Sequence, residues 1–337
     1  MGTMMDLGLR SADNRVWLAA TDPSTAGSVR RAAVALGEEI GLPAAAISGL
    51  AIIATEATTN LARHADEGVV LLRVVRAGDA AGVGLVAIDQ GPGMADVLAS
   101  SVDGHSTGGT LGIGLGAITR MATDFDIYSR PGTGTVLAAT VWAKPPAPTW
   151  LDGVARPLAG ETACGDGYAA RELDGRRQIM LCDGLGHGPL AALASEAAIA
   201  AFLEAPPGGP KEILAFLHGR IGHTRGAVVG IAEVNAARDT VRFAGIGNIA
   251  ASVCGDVRRA MVSMPGIVGQ QRHSVREFDY PLPPDALIIM HSDGLTERWS
   301  LADHPGLLTR TPVVVAATLL RDASRRRDDA AIVVARP

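Results

Sequence analysis

Four short acidic motifs in the second half of the chain carry side chains that suit hard cations. They are Gly165-Asp166-Gly167, Asp183-Gly184, Ser292-Asp293-Gly294 and Asp328-Asp329. Each motif is predicted to lie at or beside the end of a strand, and three contain glycine, which permits a sharp turn. Carboxylate oxygens are the ligands that Mg²⁺ and Mn²⁺ prefer. The pattern therefore predicts one shared site for divalent cations.

A second group of residues, in the first half, is typical of nucleotide binding. Glu56 and Asn60 are four residues apart, so on a helix they share a face. The amide oxygen of Asn60 can bind Mg²⁺, and Glu56 can orient or deprotonate an attacking hydroxyl. Asp89 follows an apolar run and can accept a hydrogen bond from an amino group such as that of adenine. The glycine-rich run 108–116 precedes a predicted helix, where backbone N–H groups suit phosphate.

The elements that position the nucleotide residues are predicted from apolar periodicity. One helix is expected to start with Asp22 as its N-cap and Pro23 at its first position. The remaining elements of the first half are a helix over 43–64, strands over 69–76 and 83–88, a helix over 116–122, and strands over 125–129 and 135–142. Helices on one side and strands on the other favour an α/β sandwich.

The second half reads as many short strands with three helices. The predicted strands are 178–182, 227–234, 240–244, 249–253, 287–291 and 331–335, and the helices are 189–204, 210–220 and 312–323. Such a mixture favours two packed sheets flanked by helices. The fold class of the whole chain is therefore predicted as α+β.

The length of 337 residues suits two domains. The proline-rich stretch 144–149 is the clearest boundary, because proline favours extended chain. We expect a nucleotide-binding domain over 1–143, a linker over 144–149 and a cation-binding domain over 150–337. The net charge of -5 gives no case for nucleic-acid binding.

A cytoplasmic protein without membrane attachment is expected. The three cysteines form no CxxC pair, which argues against a disulfide framework or a zinc knuckle. The start of the chain lacks the basic and apolar regions of a signal peptide. The most apolar predicted helical stretch, 191–205, contains Glu196 and Glu204 and is too short to span a bilayer.

Residues 10–142 resemble the ATP-binding fold shared by gyrase B, histidine kinases and MutL. The matching motifs are Glu56 with Asn60, Asp89-x-Gly91-x-Gly93, Gly112-x-Gly114-x-Gly116 and Gly132-Thr133-Gly134-Thr135. Within that family the chain is most similar to the RsbT type of small serine kinases, through 89–93, 104–109 and 125–129. The resemblance implies Mg²⁺ and ATP as cofactors, with Thr135 helping to hold adenine. It also implies phosphorylation of Ser or Thr on STAS-domain partners.

Residues 151–337 resemble the type 2C metal-dependent phosphatases in their bacterial SpoIIE form, and most closely the RsbX type. The resemblance implies an α-β-β-α sandwich that binds two Mn²⁺ or Mg²⁺ ions. Asp183 would bridge the two ions, and the Gly184 carbonyl would bind the second. Asp293 and Asp328 would hold the first ion, and Asp166 would act on the second, directly or through water. Asp329 is expected to orient its neighbour rather than bind metal.

Two roles in the phosphatase-like half stay open. No arginine is clearly placed to grip the substrate phosphate; Arg156 and Arg171 are candidates, although the sequence favours an ordinary surface position for each. His187 could protonate the leaving serine, or it could be a turn residue beside the metals.

The favoured hypothesis is a bifunctional switch enzyme that phosphorylates a STAS-domain protein and removes such phosphates. The catalytic residues would be Glu56, Asp183 and Asp293. An alternative is a phosphatase regulated by a non-catalytic ATP- or partner-binding half. A third is an anti-sigma factor that sequesters a sigma subunit. A second regulatory phosphatase or a sigma-related protein is a further candidate partner.

Overall fold

The computed structural model describes residues 4–10, 14–97, 114–146, 149–173, 175–235, 239–270, 274–325 and 327–337. The chain forms two compact units. The N-terminal unit comprises Asp13–Pro148 together with Thr309–Arg321, and the C-terminal unit comprises Met1–Ala12, Thr149–Leu308 and Asp322–Pro337.

The described strands and helices, in chain order, carry the labels used below. The strands are β1 Met4–Arg10, β2 Asn14–Ala19, β3 Val69–Ala77, β4 Ala80–Ile88, β5 Asp124–Arg130, β6 Gly134–Trp142, β7 Leu151–Arg156, β8 Asp166–Leu173, β9 Arg176–Gly184, β10 Ala227–Asn235, β11 Thr240–Ile246, β12 Ala250–Cys254, β13 Arg258–Met261, β14 Ser263–Met264, β15 Phe278–Pro281, β16 Leu287–His291 and β17 Ala330–Ala335. The helices are α1 Thr25–Glu39, α2 Ala44–His64, α3 Gly114–Met121, α4 Pro189–Glu204, α5 Pro210–Arg220 and α6 Pro312–Ala323.

The N-terminal unit is built on one antiparallel sheet with strand order β2-β3-β4-β6-β5. Alternate residues of β3, such as Val70 and Leu72, share a core with Val29 of α1 and with Leu50 and Ile53 of α2. Successive strand side chains point to opposite faces, so this alternation places one face of the sheet against the helices. The predicted α/β arrangement of this half is confirmed.

The start of α1 differs from the prediction. The helix begins at Thr25, with Ser24 as its N-cap. Asp22 instead accepts a hydrogen bond from the Ser24 amide through its side chain at 2.7 Å, and one from the Thr25 hydroxyl through its carbonyl at 2.6 Å. These contacts fold residues 22–25 into a turn, which shifts the helix start past Pro23.

The C-terminal unit consists of two mainly antiparallel sheets and covering helices. One sheet has the order β1-β8-β9-β10-β11-β14, with β15 also paired to β11, and the other has the order β13-β12-β16-β17-β7. Tyr168 of β8 shares a core with Ile288 of β16, so the two sheets pack face to face. Ala169, the next residue of β8, packs with Phe202 of α4 and Leu214 of α5, which cover the opposite face.

Two segments lie outside the simple order of one domain after the other. β1, at the start of the chain, pairs with β8 at the edge of the larger sheet of the C-terminal unit. Thr309–Arg321, near the end of the chain, belongs to the N-terminal unit. The boundaries predicted from the proline-rich stretch do not describe these two segments, because strand pairing and packing between residues far apart in sequence leave no local signal.

Helix α2 is long and apolar enough, by length and composition alone, to cross a membrane. The predicted apolar stretch 191–205 lies almost entirely in α4, which has only 16 residues. Leu50, Ile53 and Leu61 of α2 are buried in the core of the N-terminal unit. This packing explains the apolar sequence of α2 as that of a core helix.

Candidate active sites

The acidic site of the C-terminal unit is assembled by strand register. Asp166, the first residue of β8, lies directly opposite Asp183 near the end of β9. Asp293 follows β16, and Asp328 precedes β17, which pairs with β16. The structure thus brings the predicted acidic residues to neighbouring strand ends.

Mutual repulsion among these carboxylates is strong. Burial, followed by the charges of Asp293 and Asp328, raises the pKa of Asp183 to about 7. Burial and then the charge of Asp183 raise the pKa of Asp166 well above its ordinary value. Burial, then Asp328, also raises the pKa of Asp293, although Arg325 and a hydrogen bond from Asn248 oppose the effect. Each carboxylate therefore feels its neighbours, as expected for side chains that converge on one region.

The donor set fits hard divalent cations. Asp166 Oδ2 is buried and has no hydrogen-bond partner among the described residues, which is costly for a carboxylate oxygen unless a cation binds it. All four carboxylates supply oxygen, the donor that Mg²⁺ and Mn²⁺ prefer. Within the described ranges, however, no three acidic, histidine or cysteine side chains already have the spacing of a finished metal site. The carboxylates must therefore move closer together to share a cation.

Asp329 and Asn248 support the acidic site from its edges. The two carboxylate oxygens of Asp329 accept hydrogen bonds from the backbone amides of Leu158 at 2.7 Å and Gly165 at 2.8 Å. Both oxygens are thereby engaged in fixing the loop before Asp166. Asn248 Nδ2 donates to Asp293 Oδ2 at 2.7 Å. The sequence analysis gave Asn248 no role, although it follows the Gly-Ile-Gly turn that ends β11.

An open groove lies beside the loop that follows Gly184. It has a volume of about 580 Å³ and is lined by Leu185, Gly186, Thr224, Arg225 and Gln270. The Leu185 amide donates to the Gly226 carbonyl at 3.1 Å, which ties the loop after Gly184 to the start of β10. A methyl group placed on Gly186 would lie 3.1 Å from Arg225 Nη1. The exposed guanidinium of Arg225 thus lies next to the loop that follows Asp183 and Gly184.

Arg171 is excluded as a phosphate ligand. Its side chain is fully buried, with Nε donating to Gln178 at 2.8 Å and Nη1 donating to the carbonyls of Phe202 and Ala205. The guanidinium fastens the end of α4 to the sheet and has no access to substrate. The other candidate, Arg156, is half-buried at the end of β7, opposite Ala330.

His187 is an exposed residue of the turn before α4. Its side chain is 61% exposed, and its Nδ1 lies 3.1 Å from Glu161 Oε1. This pairing holds the ring at the rim of the site. The contact supports the turn-residue interpretation without assigning a catalytic proton to the ring.

In the N-terminal unit, Glu56 and Asn60 lie on one face of α2, next to the start of α3. A methyl group on Gly114 would lie 3.1 Å from Glu56 Oε2 and 3.4 Å from the Asn60 amide. Both side chains are half-buried. The absence of a side chain at Gly114 leaves this space open to the two polar groups. Gly116 is buried on the other side of α3, and Gly112 lies outside the described residues.

Asp89 is the best-fixed residue of the predicted nucleotide site. Its Oδ1 accepts hydrogen bonds from the amides of Gly91 at 2.8 Å and Thr135 at 3.1 Å. Its own amide donates to the Thr135 carbonyl at 3.0 Å. Burial raises the pKa of Asp89, and the two amides and Arg321 oppose the rise. Oδ2 has no hydrogen-bond partner in the described part of the chain, so it can accept from a ligand amino group.

The turn around Thr135 requires glycine. Gly134 has φ +85°, and a methyl group there would lie 2.1 Å from the Asp89 carbonyl oxygen. Gly93, with φ +66°, is packed as tightly against the Arg130 carbonyl. The Thr135 hydroxyl lies 2.8 Å from that of Ser129, which also accepts a hydrogen bond from the Met94 amide at 2.8 Å. The predicted glycine motifs at 89–93 and 132–135 therefore meet at Asp89.

Comparison with known proteins assigns each half of the chain to a family. The family of histidine kinase-like ATPase domains matches residues 19–141, and the family of stage II sporulation protein E (SpoIIE) matches residues 173–337. A solved chain reported with the bacterial stressosome is 30% identical, with a TM-score of 0.50; the match covers 55% of this chain and 98% of that one. The chain is a fusion of an RsbT-like ATPase domain and a SpoIIE-family phosphatase domain.

Two further relatives match one half of the fusion each. The serine/threonine-protein kinase RsbT of Bacillus subtilis (strain 168) is 29% identical over 109 residues, which cover 32% of the fusion and 82% of RsbT. The structure of RsbX in complex with magnesium is 18% identical, with a TM-score of 0.47, and covers 55% of the fusion and 94% of RsbX. The matched families confirm the enzyme class predicted for each half, a SpoIIE-family serine/threonine phosphatase and an RsbT-like serine/threonine kinase.

Proposed function

We propose that the fusion is a cytoplasmic partner-switching regulator with two opposed activities. The N-terminal unit transfers the γ-phosphate of ATP to a serine or threonine of a STAS-domain protein. The C-terminal unit hydrolyses such phosphates. The observation that carries the proposal is the presence, in one chain, of a converging carboxylate site and a separate glycine-framed site around Asp89.

The phosphatase proposal rests on the carboxylates at the strand ends. Asp183 and the Gly184 carbonyl, with Asp166, Asp293 and Asp328, would hold two Mn²⁺ or Mg²⁺ ions. When bound, such ions supply charge neutralisation and activate water for in-line attack on phosphate. The buried, unpartnered oxygen of Asp166 supports its role as a ligand.

Arg225 is the cation we assign to the substrate phosphate. A phosphoserine side chain lying in the groove beside Gly186 would meet its guanidinium next to the acidic site. Arginine presents paired donors that suit phosphate oxygens. Arg225 would thus bind and orient the dianion, the role left open when Arg171 proved to be buried.

The kinase proposal assigns each residue of the N-terminal site a separate task. Asp89 Oδ2 would accept a hydrogen bond from the adenine amino group, and Thr135 would hold the ring edge. Asn60 would bind Mg²⁺ that accompanies ATP, and Glu56 would orient or deprotonate the substrate hydroxyl. Phosphoryl transfer depends mainly on positioning and charge neutralisation, which these groups can provide.

The kinase test is transfer of label from γ-labelled ATP to a cognate STAS-domain protein. We expect transfer by the fusion, loss of transfer with Glu56→Gln, and loss of ATP binding with Asp89→Asn. ATP binding without transfer by the folded fusion under any metal condition would remove the kinase activity and leave a regulatory nucleotide-binding unit.

The phosphatase test is release of phosphate from a phosphorylated STAS-domain protein in the presence of Mn²⁺. Asp183→Ala and Asp293→Ala should abolish release, because each removes a metal ligand. Chelation should abolish release by the unchanged fusion. Full activity of either variant would refute the ligand assignment.

A further inference from the structure

The N-terminal unit contains a segment from the far end of the chain. Thr309–Arg321, called here the C-terminal anchor, lies within the SpoIIE-matched residues 173–337, yet it belongs to the compact unit that carries Asp89. The anchor includes all but the last two residues of α6. The chain returns to the C-terminal unit at Asp322.

One end of the anchor is fixed by Asp126 of β5. Its Oδ2 accepts hydrogen bonds from the Thr311 amide at 2.6 Å and from the Thr311 hydroxyl at 2.8 Å. Its Oδ1 pairs with Arg310 Nη1 at 3.3 Å. Asp126 is only 12% exposed, so these contacts are partly shielded from water. A carboxylate beside the first turn of α6 also complements the positive end of the helix dipole.

The body of the anchor is apolar and buried. Val314, Val315, Leu319 and Leu320 are each at most 1% exposed, and Thr318 returns its hydroxyl to the Val314 carbonyl. Burial of such apolar side chains favours the packed state of the anchor over the exposed one. The anchor is therefore held by its packing as well as by Asp126.

The other end of the anchor reaches the nucleotide site. Arg321 is 8% exposed, and its Nη1 donates to the Asp89 carbonyl oxygen at 3.4 Å. A methyl group on Gly134 would strike the same oxygen. The guanidinium thus contacts the backbone where the two glycine motifs meet.

We propose that Arg321 is a positioning residue of the nucleotide site, holding the end of β4 so that the Asp89 carboxylate points toward the base. The proposal rests on the proposed role of Asp89 in binding adenine. The Asp89 amide is fixed by Thr135 and the Asp89 carbonyl by Arg321, so the carboxylate direction is set from both sides of the residue.

Base discrimination is the property that should report this role. Adenine presents an amino group where guanine presents a carbonyl, so a fixed carboxylate acceptor favours adenine. A loosened Asp89 would lose part of that preference. A defect confined to folding would lower the binding of both nucleotides without changing their ratio.

The experiment compares ATP and GTP binding to the full-length fusion by calorimetry. We expect Arg321→Met to weaken ATP binding about three- to tenfold and to lower the ATP-to-GTP affinity ratio by a similar factor. Arg321→Lys keeps the charge, so its ATP affinity and its ATP-to-GTP ratio should lie between those of Arg321→Met and those of the unchanged fusion. Arg30→Met, which changes an exposed arginine on α1, should match the unchanged fusion.

The outcomes separate this inference from the proposed function. If the unchanged fusion binds no ATP, the nucleotide site itself is wrong. If ATP binds and Asp89→Asn abolishes binding, but folded Arg321→Met keeps the affinity and the ratio, only the role of Arg321 is overturned. An equal loss for both nucleotides would assign Arg321 a structural role and also overturn the proposal. If Arg321→Met does not fold, the ATP-to-GTP affinity ratio of Arg321→Lys tests the proposal instead. A ratio equal to that of the unchanged fusion would overturn the role of Arg321.

Discussion

Replacement of Asp183 by asparagine should make the metal-free protein more stable while it destroys the phosphatase. Burial of the Asp183 carboxylate, followed by the charges of Asp293 and Asp328, raises its pKa from 3.8 to about 7. Asparagine has nearly the same shape and carries no charge. Asp183→Asn therefore removes repulsion in the absence of metal and a ligand in its presence.

The size of the effect follows from the pKa difference. At about 1.4 kcal/mol per pH unit, a rise from 3.8 to about 7 corresponds to roughly 4 kcal/mol, an upper bound because neighbouring carboxylates share protons and move apart. We expect a gain of about 1–2 kcal/mol in the free energy of unfolding at pH 8, or a Tm rise of about 2–8 °C for a domain of this size.

The size of the stabilisation by Asp183→Asn depends on pH. A carboxylate whose folded pKa is raised imposes no penalty below its unfolded pKa, near 4, and the full penalty above its folded pKa, near 7. The stabilisation by Asp183→Asn should therefore be largest at pH 8 and shrink as the pH falls toward 4.

Thermal melts in chelator at pH 8 and pH 5 measure this effect. Asp256→Asn, an exposed aspartate in the turn between β12 and β13, is the matched control and should change Tm little at either pH. Addition of Mn²⁺ should raise the Tm of the unchanged protein more than that of Asp183→Asn. A lower Tm for metal-free Asp183→Asn at pH 8, or the same change at both pH values, would refute the reasoning.

Three further substitutions test other parts of the account. Arg225→Ala should lower kcat/KM on a phosphopeptide about 10- to 100-fold, whereas Arg259→Ala, an exposed arginine on β13, should leave it unchanged. Gly134→Ala should abolish ATP binding and destabilise the N-terminal unit by more than about 2 kcal/mol, because its methyl group would overlap the Asp89 carbonyl. Gly132→Ala, with positive φ but open space, should cost only about 1 kcal/mol in a denaturant titration. Arg171→Met should lower the free energy of unfolding by about 3 kcal/mol, since it leaves buried carbonyls without a donor; an unchanged denaturation midpoint would contradict this.

The helices and several core strands could be predicted from sequence because their apolar periodicity is strong. The predicted ranges 189–204, 210–220 and 312–323 coincide with α4, α5 and α6, and 287–291 coincides with β16. β8 was not predicted, because Arg171 and Glu172 interrupt its apolar run. In the structure Arg171 lies opposite Gln178 and donates a hydrogen bond to it, and the charge of Glu233 favours the ionised guanidinium.

The membership of each candidate site could be predicted only in part. Asp166 and Asp183 were grouped from their motifs, and the β8–β9 register places them opposite each other. Arg225 carries no motif, and its position depends on how the loop before β10 meets Gly186. The role of Arg321 could not be predicted either, because its contact with Asp89 joins residues far apart in the chain and leaves no local motif. The metal and nucleotide roles of these residues stay predictions.

The most direct test of two opposed activities is the time course of label on one STAS-domain protein incubated with γ-labelled ATP, Mg²⁺, Mn²⁺ and the full-length fusion. We predict that label rises and then falls as ATP is consumed, that it rises and persists with Asp183→Asn, and that it never appears with Glu56→Gln. Label that persists equally with the unchanged fusion and with Asp183→Asn would contradict the account.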